Sequence, residues 1–316
     1  MKSNVAGWLA AGATVVGVTL WAGLSISQPE GPSAAPSAAS APRRAAQQLA
    51  SREEHRQIAD PIDGQAAPIP EPTDETDEVA DFTQSDPELA APADGGSYCG
   101  PVAVSNWLVW LADHGYPKLT PPGPNRRARQ IALIRELARH RYMATDPKMG
   151  TGSWRLIEGL ERWVRDAGYS IKLLKYQGWR GHAPRHGTGQ RHPELAWLAA
   201  ALADGGAAWI HVGWYEPPTR WERALRRKGG HWLTVVGVNE HLRELTLHDP
   251  APYAGTEPEK VHATTRAMTG GWLLAGKDRL PAAGYLRLGG GMHLKRNDDV
   301  AVIDGAVVLV LDAPQP

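Results

Sequence analysis

The chain has 316 residues, enough for one large domain or two ordinary ones, and its 34 basic and 34 acidic side chains leave a net charge of +0 and a pI near 7.2. That balance, with no basic run interleaved with aromatics, argues against nucleic acid as a partner. The single cysteine excludes an internal disulfide and a cysteine-based zinc site.

The N-terminus carries an uncharged apolar run, Val5 to Ile26, "VAGWLAAGATVVGVTLWAGLSI". A helix needs about 20 such residues to span a bilayer, whereas a signal-peptide core needs only about 7–15. Residues 1–27 are therefore expected to be a transmembrane anchor, with a signal peptide cleaved near Ser25-Ile26-Ser27 as the alternative. Either reading puts the bulk of the chain outside the cytoplasm, held at the cell envelope or secreted. Residues 28–94 are dominated by Pro, Ala, Ser and acids and lack apolar periodicity. Such a segment cannot bury enough surface to offset its ordering entropy, which predicts a disordered linker, extended by self-repulsion in its acidic half. A short helix near Arg43–His55 is the one element expected there.

From Gly95 the composition becomes that of a globular domain, expected to run over 95–316. "CGPVAVSNWLVWLADHG", Cys99 to Gly115, predicts a helix, with Pro101 in the first turn where its missing N–H costs little. "NRRARQIALIRELARHRYM" predicts a second, amphipathic helix. "GSWRLIEGLERWVRDAG" predicts a third, with Ser153 as N-cap and Gly168 as its stop. "SIKLLKY" predicts a strand and "HPELAWLAAALADGG" a fourth helix. Then β dominates. Ala207–Tyr215 predicts a strand, and "HWLTVVGVN" and "ELTLHDP", joined by "EHLR", predict a hairpin. "VAVIDGAVVLVL" predicts another, turning at Asp304-Gly305. Helices followed by an antiparallel sheet make the fold class α+β. The basic stretch Glu216–Gly230, with Trp221, is read as either a loop rimming a cleft or a solvated helix. His182 and His186 have Pro184 between them and Gly187 after them, so they are read as loop residues and no metal site is expected.

The chemistry centres on Cys99. A helix N-terminus presents unpaired N–H groups and positive potential, both of which favour thiolate over thiol and can hold an oxyanion. A thiolate nucleophile needs a proton donor for its leaving group, and the candidate is His231, which follows Gly229-Gly230 at the head of an apolar strand. Asp249 ends the next strand. The short "EHLR" turn makes these strands antiparallel neighbours, so His231 and Asp249 are expected side by side, with Asp249 orienting the imidazole. His248 is the rival for that third role, and strand alternation points it to the other face.

Cys-Gly-Pro at a helix start, Gly-His-Trp at a strand head and Asp-Pro at the end of the next strand together resemble the papain-like cysteine peptidases of the C39-like group, some of which process double-glycine leader peptides. The resemblance covers roughly Gly95 to Pro250. It implies a papain-like fold and a peptide or protein substrate, with no cofactor. It makes Cys99 the nucleophile, His231 the general base and acid, and Asp249 the orienting carboxylate. The group usually carries a Gln about six residues before the Cys, which completes the oxyanion hole. Here Ala93 stands at that offset, with Asp94 beside it, and the nearest upstream candidate is Gln84, which would have to fold back. Losing one such donor costs about 10²–10³ in rate. A catalytically weak or inactive papain-like domain serving as an envelope binding module is the alternative. A cell-wall amidase of the NlpC type ranks lower, because those enzymes usually carry Asp-Cys-Ser-Gly.

Overall fold

The computed structural model describes residues 79–89, 91, 95–218, 223–251, 261–290 and 299–314. The expected anchor at 1–27, most of the expected linker, Ala93, Asp94 and Trp221 lie outside these residues. No helix among the described residues is long and apolar enough to cross a membrane.

Four helices form from the predicted stretches. Helix α1 is Cys99–Asp113, α2 Arg126–Ala138, α3 Ser153–Asp166 and α4, after the first strand, Leu195–Ala203. Asn125 caps α2 by accepting from the Ala128 N–H at 2.8 Å. Ser153, expected to cap α3, is its first helical residue instead, and the cap position falls to Gly152.

Nine strands follow among the described residues: β1 Ile171–Gly178, β2 Ala207–Glu216, β3 Ala224–Asn239, β4 Glu244–His248, β5 Val261–Ala267, β6 Trp272–Ala275, β7 Asp278–Pro281, β8 Leu286–Gly289 and β9 Val300–Leu311. Strand β2 pairs with β3, β3 with β4, β4 with β5, β5 with β8, β8 with β9, and β9 again with β2, all antiparallel. The pairing thus closes on itself through six strands, which removes their edges. Strand β1 adds to the far side of β9, and the β6–β7 hairpin joins β3, with β6 parallel to it. The class is α+β as expected, but the sheet is mixed, because β6 reaches β3 by a connection through other strands and not by a tight turn.

Three further expectations fail, each through a tertiary contact. Val300–Leu311 is one continuous strand and not a hairpin. It is paired on both sides, by β1 and β2. Its Asp304 is fully buried and accepts from Tyr215 Oη at 2.5 Å and Trp179 Nε1 at 3.1 Å, so Asp-Gly is a packing feature here and not a turn. Second, β3 begins at Ala224, so the described part of Glu216–Gly230 from Ala224 onward is strand, neither loop nor helix, and His231 lies mid-strand. Gly229 and Gly230 pair opposite Trp214 and Gly213. A side chain at Gly230 would strike the Arg227 guanidinium and His211 Nε2, so the glycine makes room for them. Third, residues 79–89 belong to the packed unit and not to a linker. Phe82, the only phenylalanine in the chain, and Leu89 bury against Val102 of α1 and Ile131 and Ile134 of α2.

One apolar core lies between α1, α2, α3 and the β1–β9–β2–β3 surface, with Leu108, Leu133, Leu160, Trp209, Trp232, Val307 and Leu309 all buried. A second fills the space enclosed by the closed strands, with Ile210, Val212, Leu233, Val235, Leu247, Ala263 and Ile303. The abundant tryptophans are used where an indole N–H can find a carbonyl. Trp107 donates to Val235 O (2.9 Å), Trp209 to Ala103 O (2.9 Å) and Trp232 to Thr151 O (2.8 Å).

Candidate active site

Cys99 is the first residue of α1, and no side chain caps that helix start. Pro101 has no N–H, and Val102 N–H is taken by the Tyr98 carbonyl at 3.1 Å. The amides of Cys99 and Gly100 are thus the donors that the helix start offers to an anion. The helix is pinned to β3 by polar bonds whose lengths leave little slack. Asn106 Nδ2 donates to Thr234 Oγ1 (3.1 Å), Thr234 Oγ1 donates to Ala103 O (2.9 Å), and Gln130 Nε2 of α2 donates to Asn106 Oδ1 (2.9 Å). Asn106 and Thr234 are fully buried. These bonds fix the register of α1 against the strand that carries His231.

His231 and Asp249 are side by side. His231 Nε2 lies 2.6 Å from Asp249 Oδ1, and both residues are buried. Asp249 Oδ1 also accepts from Ala251 N–H at 2.9 Å, which holds the carboxylate against its own chain. With Nε2 on Asp249, the hydrogen bond between His231 and the Cys99 thiol falls to Nδ1. The Trp214 ring covers the imidazole, with centroids 6.1 Å apart.

The electrostatics follow from this line. Burial alone would lower the His231 pKa, but the Asp249 charge and hydrogen bond, with the Cys99 thiol, raise it from 6.5 to about 10. Burial alone would raise the Cys99 pKa. The hydrogen bond and charge of His231 and the Trp232 N–H outweigh it, together with the smaller repulsion from Asp249, and bring the thiol below its ordinary 9.0. Both shifts run in the direction that favours a thiolate beside an imidazolium over the neutral pair.

The segment before α1 packs against this site. His248 Nδ1 bonds Ala80 O (3.0 Å), and Gln84 N–H donates to Pro250 O (2.8 Å). The chain from Ala80 to Gln84 therefore runs alongside His248–Pro250. His248 is engaged there and not with His231. Gln84 is buried, and its Oε1 has no hydrogen-bond partner among the described residues. Its carbonyl lies where a Cβ on Gly95 would sit, so Gly95, beyond the turn Pro87–Leu89, lies back against Gln84. Asp81, on the same stretch, was not singled out by the sequence. Burial first, then the Asp249 charge, raise its carboxyl from 3.8 to about 7. The signal available was Phe82, an apolar anchor inside an acidic stretch.

His211 is another residue that the sequence left unremarked. It stacks on Trp232 (centroids 4.4 Å) and is held neutral, with its pKa well below 6.5, by burial and the charges of Arg227, Arg180 and His231. Arg227 Nε in turn binds Asp304 Oδ2 at 2.5 Å. A cavity of about 620 Å³ opens at the Ala224 end of β3, lined by Leu225, Met268, Trp272 and Arg287 among others, and contains none of Cys99, His231 and Asp249. His182 and His186 share no helix face. His182 packs on the Tyr176 ring, and His186 ends the turn Pro184–His186.

No protein-family model matches this chain, and no curated protein matches its sequence.

Proposed function

We propose that the chain is a papain-like cysteine peptidase of the C39-like kind, held at the cell envelope by residues 1–27 and acting on peptide or protein substrates. The observation that carries this reading is the buried line from Cys99 through His231 to Asp249, with the thiol at an uncapped helix start. Helices first and closed strands second, with the nucleophile on one and the base on the other, support the papain-like architecture. The exported location rests on the apolar run from Val5 to Ile26.

In this mechanism Cys99 Sγ attacks the scissile carbonyl carbon, and the carbonyl electrons move to oxygen. The amides at the start of α1 and the Gln84 side-chain amide receive that oxyanion. Collapse expels the amine, which takes the proton from His231 Nδ1 and leaves a thioester on Cys99. Water attacks the thioester while giving a proton to His231, and the thiolate departs. Asp249 holds Nε2–H, so that Nδ1 faces sulfur throughout. A binding module without turnover is the second reading, and it draws on burial. Cys99 is 8% exposed and His231 5%, which leaves a substrate little of either to contact.

The test is the pH dependence of Cys99 alkylation by iodoacetamide in the full chain and in His231→Ala. A thiol of pKa about 9 is about one-thousandth ionised at pH 6. The wild-type rate should hold to pH 6 and below, and the variant should lose about 10²–10³ there. Equal profiles that rise only near pH 9 would remove the thiolate–imidazolium pair and leave the binding-module reading.

A further inference from the structure

Glu158 and Glu161 stand three residues apart on α3, so they share a face. His186 closes the short turn after β1 and is only 4% exposed. Its Nδ1 lies 3.3 Å from the Leu174 carbonyl oxygen. A carbonyl only accepts, so Nδ1 donates there, and the neutral tautomer compatible with that bond, the one a metal takes, has its lone pair on Nε2. That lone pair faces Glu161 Oε2 at 3.1 Å and Glu158 Oε1 at 3.7 Å. Neither His186 Nε2 nor Glu158 Oε1, both buried, has a hydrogen-bond partner among the described residues. Three groups that can each offer a ligand atom thus converge, with those atoms within 4.8 Å of one another.

Two half-buried carboxylates beside a buried imidazole suit a cation between them. A tetrahedral centre with bonds of about 2.0–2.1 Å spaces its ligands about 3.3 Å apart, and the two separations from His186 bracket that value. An imidazole nitrogen with two carboxylates suits zinc and its neighbours. Calcium and magnesium take oxygen alone. The Leu174 carbonyl on Nδ1 is the second partner that such a ligand requires. We infer that Glu158, Glu161 and His186 bind one divalent transition-metal ion of the zinc class, which clamps α3 to the connection between β1 and α4.

Arg185 is the competitor. Its Nη2 lies 2.6 Å from Glu158 Oε2 and 2.9 Å from Glu161 Oε2, and its side chain is 56% exposed. Exposed pairs of this kind hold weakly. The guanidinium neutralises the carboxylates in the metal-free protein and gives way to the ion. Removing Arg185 should therefore tighten metal binding.

The experiment is calorimetric titration of the chelator-treated full chain with zinc chloride, in a Cys99→Ser background so that the thiol cannot contribute. Thermal melts with and without zinc run alongside. One ion per chain is expected, with at least about tenfold weaker binding in His186→Gln and in Glu158→Gln, tighter binding in Arg185→Gln, and a zinc-induced rise in Tm that both weakened variants lose. Glu158→Gln carries the test if His186→Gln fails to fold, because Glu158 is the more exposed of the two. No binding at millimolar zinc, binding indifferent to both ligand substitutions, or weaker binding in Arg185→Gln would overturn the site.

Discussion

Asp81→Asn isolates one carboxyl in the pH dependence of stability. Asp81 lies beside Asp249 because Ala80 O and Gln84 N–H bond the chain at 248 and 250. Burial and the neighbouring charge raise its pKa from 3.8 to about 7. The sign follows from proton counting. Between those two values the folded state keeps a proton that the unfolded state releases, so this group's contribution is fully present below pH 3.8 and is lost as pH rises through about 7. From pH 5 to pH 7 that is at most about 2.7 kcal/mol, and residual hydration of a carboxyl that is not fully buried brings it to about 1–2.5 kcal/mol. Asparagine has the same shape and no proton to lose. Urea unfolding followed by tryptophan fluorescence at pH 5 and pH 8 reads the difference between variant and wild type, which cancels every group the two share. That difference should move by about 1–2.5 kcal/mol in favour of Asp81→Asn on going to pH 8. If variant and wild type keep a constant separation across this range, Asp81 does not hold a proton beside Asp249, and the packing of residues 80–84 against the site is wrong.

Two further outcomes are expected. Gln84→Ala should slow acylation of Cys99 by an activated ester about 10²-fold while leaving iodoacetamide alkylation unchanged, because only the ester develops an oxyanion; equal losses in both reactions would make Gln84 a packing residue alone. Gly95→Ala should cost about 2–4 kcal/mol, since φ is +77° and the new Cβ would overlap the Gln84 carbonyl, whereas Gly168→Ala, with φ +85° and nothing within 4 Å, should cost only about 1–2 kcal/mol. Thermal denaturation of the pair separates backbone strain from overlap, and identical shifts would show that Gln84 does not press on Gly95.

What the sequence made legible here was local. Pro101 in a first turn, Gly168 as a stop and the four residues "EHLR" each act within a few residues of themselves, and α1, α3 and the β3–β4 hairpin follow from them. The adjacency of His231 and Asp249 was within reach for the same reason, since a short turn leaves only one arrangement of its two strands. Asp304-Gly305 carried an equally good local signal and meant something else. Its strand is claimed from both sides, and the carboxylate is needed by Tyr215, Trp179 and Arg227, which are distant in sequence. The four-residue strands β6, β7 and β8 are too short to show a period at all.

Residues 79–89 went unread for a different reason. Their composition is that of the acidic stretch before them, and a composition argument averages over the few side chains that matter. Phe82 and Leu89 supply apolar anchorage, and three polar contacts do the placing: Phe82 N–H to Asn106 Oδ1 (3.3 Å), Gln84 N–H to Pro250 O, and Ala80 O to His248. Asn106 is the common point. Its side chain meets α2 through Gln130, β3 through Thr234 and the upstream segment through Phe82. A buried amide satisfied from three elements at once can be satisfied in only one relative placement of them. The helix bearing Cys99, the strand bearing His231 and the segment bearing Gln84 are thereby set against one another. Preorganisation of that kind is what the peptidase mechanism proposed above would require of Cys99, His231 and Gln84.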